Sequence, residues 1–360
     1  DTPINAGFDT TIASGLLTSE GEAWKRQRSL MQPYFSRRRV PAFADAVAAH
    51  FDQWSVQWDH AAARGESIDY SHAMSTFTFR VTAATLFHCD TSAWDGRLVS
   101  ILTDALPVLT DLSAEPFRLA QRVLGGHASD VVAERLAAPV DDDLFGRLRT
   151  SESEESTEDA LWNHVTTMLL AGYETTASVI TWGSCLLATH PEVCDELARH
   201  IRAVAGDRAL THEDLPGLPL LTAVIKETMR LYPPAWIIGR RAIDPDVIGD
   251  VEIPAQSVVA VSPYTLHRHP RYWDQPEVFE PRRFMNDEVE RRREPFSYIP
   301  FGAGPRTCIG SNLALVEAPL VIGRVVQRYR LTLENEGTIA PRGIFVLVPS
   351  EAIRMRLTPR

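Results

Sequence analysis

The sequence predicts a mainly α-helical protein with small β-sheets, on the evidence of two different patterns. In the first two thirds of the 360 residues, apolar side chains recur every three or four positions, as in residues 40–65, where the pattern ends at Gly65. From Leu231 onward, prolines separate short segments typical of strands, and the stretches DVEIPAQSVVAVSPY and IFVLVPSEAIRMRL each predict a hairpin. The sequence shows no repeat of about 20–50 residues, and its length allows one large domain or two smaller ones.

The composition excludes several classes of protein. With 44% hydrophobic and 23% charged residues, the chain can bury a large core. A net charge of −11 argues against a nucleic-acid surface, which needs clustered cations, and no segment is typical of a signal peptide or a membrane span. Cys89, Cys185, Cys194 and Cys308 lack CxxC spacing, which fits free thiols in a reducing compartment. We therefore expect a cytoplasmic protein without a nucleic-acid partner or a membrane span.

One predicted helix is unusually long. After Ser156 and Thr157 as candidate N-caps, the helical pattern runs from about Glu158 to Thr189 and stops before Pro191. At a rise of about 1.5 Å per residue, such a helix is roughly 45–50 Å long, enough to cross the domain. Its middle, LLAGYETTAS, places a glycine, a carboxylate and two hydroxyl residues where a buried helix should be apolar.

The stretch FGAGPRTCIG, residues 301–310, presents one cysteine in an unusual setting. An isolated cysteine is most often a small buried hydrophobic residue. Here, however, Gly302 and Gly304 permit backbone conformations closed to other residues, and the apolar pattern that follows predicts a helix whose N-terminus would stabilise a Cys308 thiolate. A single thiolate without a neighbouring cysteine or histidine suits neither zinc nor an iron–sulfur cluster, but it suits the axial position of a haem.

This segment resembles the haem-binding loop of the cytochrome P450 superfamily, Phe-Gly-x-Gly-x-Arg-x-Cys-x-Gly. Its positions are filled by Phe301, Gly302, Gly304, Arg306, Cys308 and Gly310. The resemblance implies the cytochrome P450 fold, as a single haem domain over residues 1–360. In this fold the long helix crosses over a haem b that Cys308 ligates and the loop residues surround.

The segment AGYETT of the long helix resembles the oxygen-activating segment of the same family. By itself, Glu-Thr-Thr in a helix is more often a solvated patch or a kink with back-bonded hydroxyls. The resemblance implies that Ala171 and Gly172 lie against the haem, that Gly172 lets the helix open, that Thr175 hydrogen-bonds the dioxygen and that Glu174 relays protons to it. The acid–alcohol pair favours the use of dioxygen and electrons over the direct use of peroxide.

Two further segments, KETMRLYPP and PEVFEPRRF, resemble a structural network of the family. Glu227 and Arg230 alone would be an ordinary ion pair three residues apart on a helix. With Arg283, the resemblance implies a network that supports the haem loop and takes no part in catalysis.

Haem carries two propionates, and buried carboxylates need cationic partners. Trp24 and Arg28 resemble the family's Trp-x-x-x-Arg pair, which contacts a propionate, and Arg240, His267 and Arg306 occupy positions that serve the same purpose in relatives. Each of these cations could alternatively be a surface residue. The pair His267 and His269 suggests a metal, but the sequence offers no third ligand.

The resemblance also implies a substrate pocket, placed by position in the sequence. Its candidates are apolar: Leu169, Ala171, Ala235, Trp236, Ile237, Ile344 and Phe345. We therefore expect a hydrophobic substrate, of terpenoid, polyketide or fatty-acyl type, in secondary metabolism.

No flavin or nicotinamide fingerprint is present in the 360 residues, so the electrons must come from other proteins. The family's usual bacterial donors are a ferredoxin and a ferredoxin reductase. The arginine runs 37–39 and 291–293 would place positive charge on the docking face for an acidic ferredoxin, although solvated arginines are an equally good interpretation.

Two other functions share the cysteine ligand. A peroxide-driven or isomerising haem-thiolate enzyme would need no redox partner, and a non-catalytic haem or gas-binding protein would have no use for Glu174 and Thr175. The sequence also departs from the family pattern. The β-sheet and helices that usually precede the Trp24 helix are not found, and residues 107–157 are short for the two helices that roof the active site.

Overall fold

The computed structural model describes residues 15–91 and 115–360, and it confirms a mainly helical architecture with small sheets. Along the chain the described α-helices are α1 (Gly21–Met31), α2 (Val40–Arg64), α3 (Tyr70–Phe87), α4 (Glu115–Ala137), α5 (Leu144–Arg149), α6 (Glu158–Thr189), α7 (Pro191–Ala205), α8 (Pro219–Leu231), α9 (Pro263–Leu266), α10 (Asp287–Arg292) and α11 (Ser311–Arg328).

The long helix α6 has the bounds that the sequence predicts. At its start, the side-chain oxygen of Thr157 accepts a hydrogen bond from the backbone N–H of Ala160 at 3.3 Å, and Glu158 and Asp159 complement the positive end of the helix dipole. The helix ends at Thr189, and Pro191 begins α7. A cap at one end and a proline after the other therefore determine its length.

Two hydrophobic cores meet along α6. The part from Leu161 to Tyr173 packs with apolar residues of α3, α4 and α5, whereas the part from Ala177 to Leu187 packs with residues of α2, α8 and α11. The change from one core to the other falls at residues 174–176. The predicted oxygen-activating residues thus lie where α6 passes between two packed bodies.

The strands pair differently from both predicted hairpins. In the first segment, β4 (Val251–Ile253) pairs with β3 (Asp246–Ile248), and β5 (Val258–Val261) pairs with β2 (Ile238–Arg241). In the second, β8 (Leu347–Pro349) pairs with β7 (Pro341–Gly343), while β9 (Arg354–Pro359) lies between β1 (Ser67–Asp69) and β6 (Tyr329–Leu333). Both hairpin predictions are wrong, because alternation of apolar residues identifies a strand but not the neighbour that completes its backbone hydrogen bonds.

Within residues 15–91 and 115–360, no helix combines the length and apolar character needed to cross a bilayer.

Candidate active site

The long helix α6 turns one narrow face toward open space. From His164 to Leu187 its residues are buried except for Ala171, Gly172 and Thr175, which are partly exposed. Residues one turn apart lie on the same side of a helix, so these three form one stripe. The stripe coincides with the AGYETT segment singled out in the sequence.

The hydroxyl of Thr175 is held by its own helix. Its Oγ1 donates to the carbonyl oxygen of Ala171 at 3.0 Å, and Thr176 makes the equivalent bond to Gly172 at 3.4 Å. Because the proton of Thr175 is already engaged, its oxygen is left with lone pairs that can accept a hydrogen bond from a ligand on the open face.

Gly172 is needed for close packing between α3 and α6. A Cβ at this position would lie 2.7 Å from the Cγ2 atom of Thr82 on α3, closer than van der Waals contact allows. The helix is continuous from Glu158 to Thr189, so an opening of α6 at Gly172, as predicted from the sequence, is not observed. The glycine lets the two helices approach each other.

The carboxylate of Glu174 points into the α3–α6 interface. Its side chain is 4% exposed, and its Oε2 accepts a hydrogen bond from the hydroxyl of Ser75 at 3.2 Å. Burial raises the pKa of Glu174 to about 7, while the hydrogen bond from Ser75 acts in the opposite direction. Near neutral pH this carboxyl can therefore both hold and release a proton.

Sequence analysis did not single out α3, although it supplies the partners of this segment. Ser75, Thr78 and Thr82 are all buried and lie three and four residues apart, on the face toward α6. The available signal was the stretch STFTFRVTAAT, where hydroxyl residues recur inside an apolar helix. Without the packing partner, that pattern does not say what the hydroxyls contact.

The cysteine loop has the shape that its glycines predict. Gly302 and Gly304 adopt φ values of +71° and +75°, which side chains rarely allow, and the N–H of Cys308 closes the loop on the carbonyl oxygen of Phe301 at 3.0 Å. Gly310 is the N-cap of α11, so Cys308 lies just before a helix N-terminus, and it is exposed. Protein packed around the sulfur raises the pKa of the thiol, while the N–H of Gly310 and the Arg28 guanidinium oppose that rise.

Two predicted cations lie against this loop. Arg28 of α1 donates from Nη1 to the carbonyl oxygen of Thr307 at 2.8 Å. The Arg306 guanidinium lies 4.7 Å from the ring centroid of Trp24 and donates to the carbonyl oxygen of Ser19 at 2.7 Å. The structure therefore brings Trp24, Arg28 and Arg306 together beside Cys308.

Arg240 extends this group of cations. It is exposed on β2. Burial lowers the pKa of Arg306, the charge of Glu20 opposes that shift, and the charge of Arg240 adds to it. Within the described residues, no carboxylate lies within 4.0 Å of Arg28, Arg240 or Arg306. Guanidinium groups without acidic partners are suited to an anionic ligand.

His267 is placed differently from the prediction. Its side chain is fully buried, its Nε2 accepts the N–H of Ile299 at 2.8 Å, and its ring centroid lies 5.1 Å from that of Tyr298. Burial lowers the pKa of His267 to about 4, so the ring is neutral. A neutral, enclosed ring does not fit a propionate contact, and the assignment of His267 to the haem is corrected.

The predicted structural network is assembled. Glu227 and Arg230 are both fully buried, and Arg230 donates from Nε and Nη2 to the two carboxylate oxygens at 2.7 and 2.8 Å. Arg283 adds a hydrogen bond from Nε at 3.0 Å. The Nη1 atom of Arg230 also donates to the carbonyl oxygen of His267 at 3.0 Å, so His267 belongs to the surroundings of this network.

Ile344 and Phe345 lie at the tip of the β7–β8 hairpin, and Trp236 contacts that hairpin. Trp236 donates from Nε1 to the carbonyl oxygen of Ile344 at 2.7 Å, and Ser178 of α6 donates to that of Leu347 at 2.7 Å. The hairpin is thus tied to α6 and to the chain after the Pro233-Pro234 break. Ala235 is exposed, and Trp236, Ile237, Ile344 and Phe345 are partly exposed.

Leu169 does not line open space. It is fully buried in the core shared by α3, α4 and α5, so its assignment to the pocket is corrected. Helical spacing places Leu169 two positions before the open stripe, which turns it about 160° away from Ala171 in projection.

A groove of about 620 Å³ lies beside Cys308. It is lined in part by Arg28, Gln32, Phe35, Thr307 and Asn312. The arginine run 37–39 follows directly, and Arg37 and Arg38 are exposed with no ion pair in the described part of the chain. Arg39 is neutralised by Asp142 at 2.7 Å.

The run 291–293 does not form the second cationic patch that was predicted. Arg292 pairs with Glu288 at 2.5 Å, and Arg293 pairs with Glu290 while its guanidinium lies 4.2 Å from the ring centroid of Trp273. Arg293 is a packing residue, because its charge is neutralised and its plane covers an aromatic ring.

Comparison with known proteins agrees with this geometry. A family model described as Cytochrome P450 matches residues 1–356. The chain belongs to the cytochrome P450 family. It is therefore a cytochrome P450 monooxygenase, and membership of the family implies a haem cofactor.

Individual relatives of this P450 are distant in sequence. Cyclooctatin synthase of Streptomyces melanosporofaciens is 30% identical over 94% of this chain and 78% of its own length. Pentalenene oxygenase of Streptomyces avermitilis is 30% identical over 96% of this chain and 80% of its own length. A crystal structure of a cytochrome P450, CYP102L1, superposes with a TM-score of 0.88 over 99% of this chain and 84% of that one, at 20% identity, which shows the shared fold.

The residues of this P450 fit a haem. Cys308 is exposed just before a helix N-terminus, and in the described part of the chain no carboxylate lies within 4.0 Å of Arg28, Arg240 or Arg306. A soft thiolate beside several guanidiniums matches a group that joins an iron atom to two carboxylates.

Proposed function

We propose that this P450 oxidises a hydrophobic small molecule of terpenoid type, using O2 and electrons delivered by separate redox proteins. The observation that carries the proposal is exposed Cys308 beside Arg28 and Arg306, neither of which has a carboxylate within 4.0 Å among the described residues. When bound, haem b supplies the oxygen-activating chemistry of a thiolate-ligated iron. The residues of the chain bind that group, transfer protons and form the substrate pocket.

Cys308, held by the loop from Phe301 to Gly310, is the residue that would bind the haem iron through its sulfur. The N–H of Gly310 and the guanidinium of Arg28 both favour the thiolate, because each places positive charge near the sulfur. The proposed propionate partners are Trp24, Arg28, Arg240 and Arg306. Their convergence on the cysteine loop supports this assignment.

Thr175 and Glu174 are the proposed catalytic pair. The oxygen of Thr175 can accept a hydrogen bond on the open face of α6, because its proton is directed to Ala171. Glu174 is the proposed proton source, supported by a pKa of about 7. A group that titrates near neutral pH can deliver a proton and take another one from solvent.

The proposed substrate pocket joins Ala171 of α6 to Ala235, Trp236 and Ile237 and to Ile344 and Phe345 at the hairpin tip. These side chains are apolar and at least partly exposed, which favours a hydrophobic substrate. The names of two Streptomyces relatives refer to cyclooctatin and pentalenene, which are terpenoids. We therefore place this P450 in secondary metabolism.

A ferredoxin, reduced by a ferredoxin reductase, is the proposed electron donor. The groove beside Cys308 supports an acidic partner on this face, as do the exposed Arg37 and Arg38, which have no ion pair within residues 15–91 and 115–360. The run 291–293 takes no part, because Arg292 and Arg293 are neutralised.

The haem assignment is tested by the spectrum of the reduced, CO-treated protein. We expect the red-shifted Soret band typical of a thiolate ligand, and its loss in Cys308→Ser. Cys194→Ala is the matched control, since Cys194 is buried far along the chain from the loop and its thiol serves no proposed role. A red-shifted band that survives in Cys308→Ser would overturn the ligand assignment.

The substrate class is tested by titrating the ferric protein with a set of terpenes, polyketides and fatty acids. We expect terpenes to produce the low-spin to high-spin shift at the lowest concentrations. Product formation with NADPH, ferredoxin and its reductase should then exceed that with hydrogen peroxide. A preference for peroxide would contradict the proposed use of redox partners.

A further inference from the structure

We propose that Ser75 of α3 is a positioning residue for Glu174, holding its carboxyl in the α3–α6 interface and setting its protonation. The inference rests on the proposed function of Glu174 as a proton source. Ser75 is buried and its hydroxyl bonds the carboxyl of Glu174, so it acts through the carboxyl that it binds.

The side chain of Glu174 points toward α3. Thr175 lies on the partly exposed stripe of α6, whereas the side chain of its neighbour Glu174 is buried. It is 4% exposed and directed at α3, where the Ser75 hydroxyl donates to Oε2 at 3.2 Å. The acid and the alcohol of the catalytic pair therefore occupy different sides of the helix.

The part of α6 next to Glu174 is also bound by α3. Thr78, one turn after Ser75, donates from Oγ1 to the carbonyl oxygen of Tyr173 at 2.9 Å. Thr82 packs where a side chain on Gly172 would have to lie, since a Cβ there would be 2.7 Å from its Cγ2 atom. Three successive residues of α6 are thus held by one face of α3, which fixes the distance from Ser75 to Glu174.

The groups around the carboxyl of Glu174 determine how readily it ionises. Within residues 15–91 and 115–360, no cation lies within 4.0 Å of the Glu174 carboxylate, and Ser75 supplies the hydrogen bond that favours its charged form. The titratable neighbour on α6 is Tyr173, whose hydroxyl stays protonated because burial raises its pKa well above the usual value. Ser75 is therefore the polar side chain from α3 that decides how readily Glu174 ionises.

Loss of the Ser75 hydroxyl should raise the pKa of Glu174. A hydrogen bond to a carboxylate stabilises the charged form, so its removal leaves burial unopposed and raises the pKa of Glu174 above about 7. The carboxyl then remains protonated to higher pH. The pH at which coupled turnover declines on the alkaline side should also rise, because that decline follows the loss of the proton from the acid.

The test is an infrared pH titration of the holoenzyme. The carboxylic acid band of Glu174 is assigned by its absence in Glu174→Gln. In Ser75→Ala we expect its midpoint to rise by about half a pH unit or more. Thr76→Val is the matched control, since the neighbouring Thr76 hydroxyl donates to the carbonyl oxygen of His72 at 2.9 Å and not to Glu174. In this variant the midpoint of the Glu174 band should stay unchanged.

A second variant guards against a folding defect. Ser75→Cys keeps the size of the side chain but supplies a much weaker donor, so its midpoint should move in the same direction as that of Ser75→Ala. A midpoint that stays at the wild-type pH in both variants overturns the inference. If Ser75→Ala shifts the band while Glu174→Gln leaves product formation per O2 unchanged, Ser75 positions the carboxyl as proposed and the catalytic role of Glu174 is wrong.

Discussion

The hydroxyl of Thr175 donates a hydrogen bond to the carbonyl oxygen of Ala171, one turn back on α6, at 3.0 Å. Both residues lie on the partly exposed stripe of a helix that is otherwise buried between His164 and Leu187. The proton of the alcohol is thus committed to the protein, and its oxygen is available to a ligand as an acceptor. Thr175 can therefore hold a protonated species on the open face.

Thr175→Ala should uncouple oxygen consumption from product formation. Without the acceptor oxygen, reduced oxygen species escape before the substrate is oxidised, and we expect product per O2 to fall by about tenfold or more. Thr175→Ser should retain most of the coupling. Thr176→Val is the control, because Thr176 is buried and bonds to Gly172. Wild-type coupling in Thr175→Ala would contradict the proposed role.

Gly172→Ala should destabilise the protein through a clash with α3. The new Cβ would lie 2.7 Å from the Cγ2 atom of Thr82, and overpacking of this kind costs about 1–3 kcal/mol. Thr82→Ala removes the atom in the way, so the double variant should regain part of the loss. Urea unfolding of the wild type, both single variants and the double variant measures this coupling. Additive effects of the two substitutions would show that the helices do not meet at these residues.

Arg230→Met should lower the free energy of unfolding by about 3–5 kcal/mol, because it leaves the buried carboxylate of Glu227 without its bidentate partner. Glu227→Gln combined with Arg230→Met removes the buried carboxylate, which Arg283 alone would compensate only in part, and should be less damaging than Arg230→Met alone. Unfolding in urea and haem content per protein are the measurements. Equal stability of the two variants would argue against an unpaired charge as the cause.

Glu317 of α11 should make stability fall as the pH rises. It is 2% exposed, its Oε1 has no hydrogen-bond partner among the described residues, and burial raises its pKa to about 8. Between the unfolded pKa near 4.5 and the folded pKa, the folded state holds one more proton, so stability declines with pH by up to roughly 4–5 kcal/mol. Glu317→Gln should flatten this part of the profile. Glu336→Gln, at an exposed position, is the control and should not.

Arg37→Glu combined with Arg38→Glu should slow reduction by an acidic ferredoxin on the order of tenfold at low salt, because both guanidiniums are exposed and unpaired in the described part of the chain. The difference from wild type should shrink as salt rises. Arg292→Glu is the control, since Arg292 already pairs with Glu288. Stopped-flow reduction gives the rates, and a salt-independent defect would count against electrostatic docking.

Local sequence signals predicted the helical elements well. The bounds of α6 follow from Thr157 as N-cap and from Pro191 after its end, and the cysteine loop follows from glycines that adopt positive φ. These features depend on residues that are neighbours in the chain. The strand partners depend on residues far apart, and both predicted hairpins were therefore wrong.

Two site assignments failed for a related reason. His267 and Leu169 occupy positions that suit a haem and a pocket by resemblance, yet both side chains are fully buried. Position in a sequence does not say which way a side chain faces once its element has packed. His267 became part of the surroundings of the Glu227–Arg230 network, and Leu169 became part of a hydrophobic core.

The sequence by itself determined the family, the loop that presents Cys308 and the length of the helix that carries Thr175, because each depends on local backbone preferences and short motifs. Only the tertiary structure decided that Glu174 turns away from the open stripe toward Ser75, and that Gly172 serves the approach of Thr82. The physical reason is that the burial, hydrogen bonding and pKa of a side chain are set by the element packed against it, and α3 lies about 100 residues away along the chain.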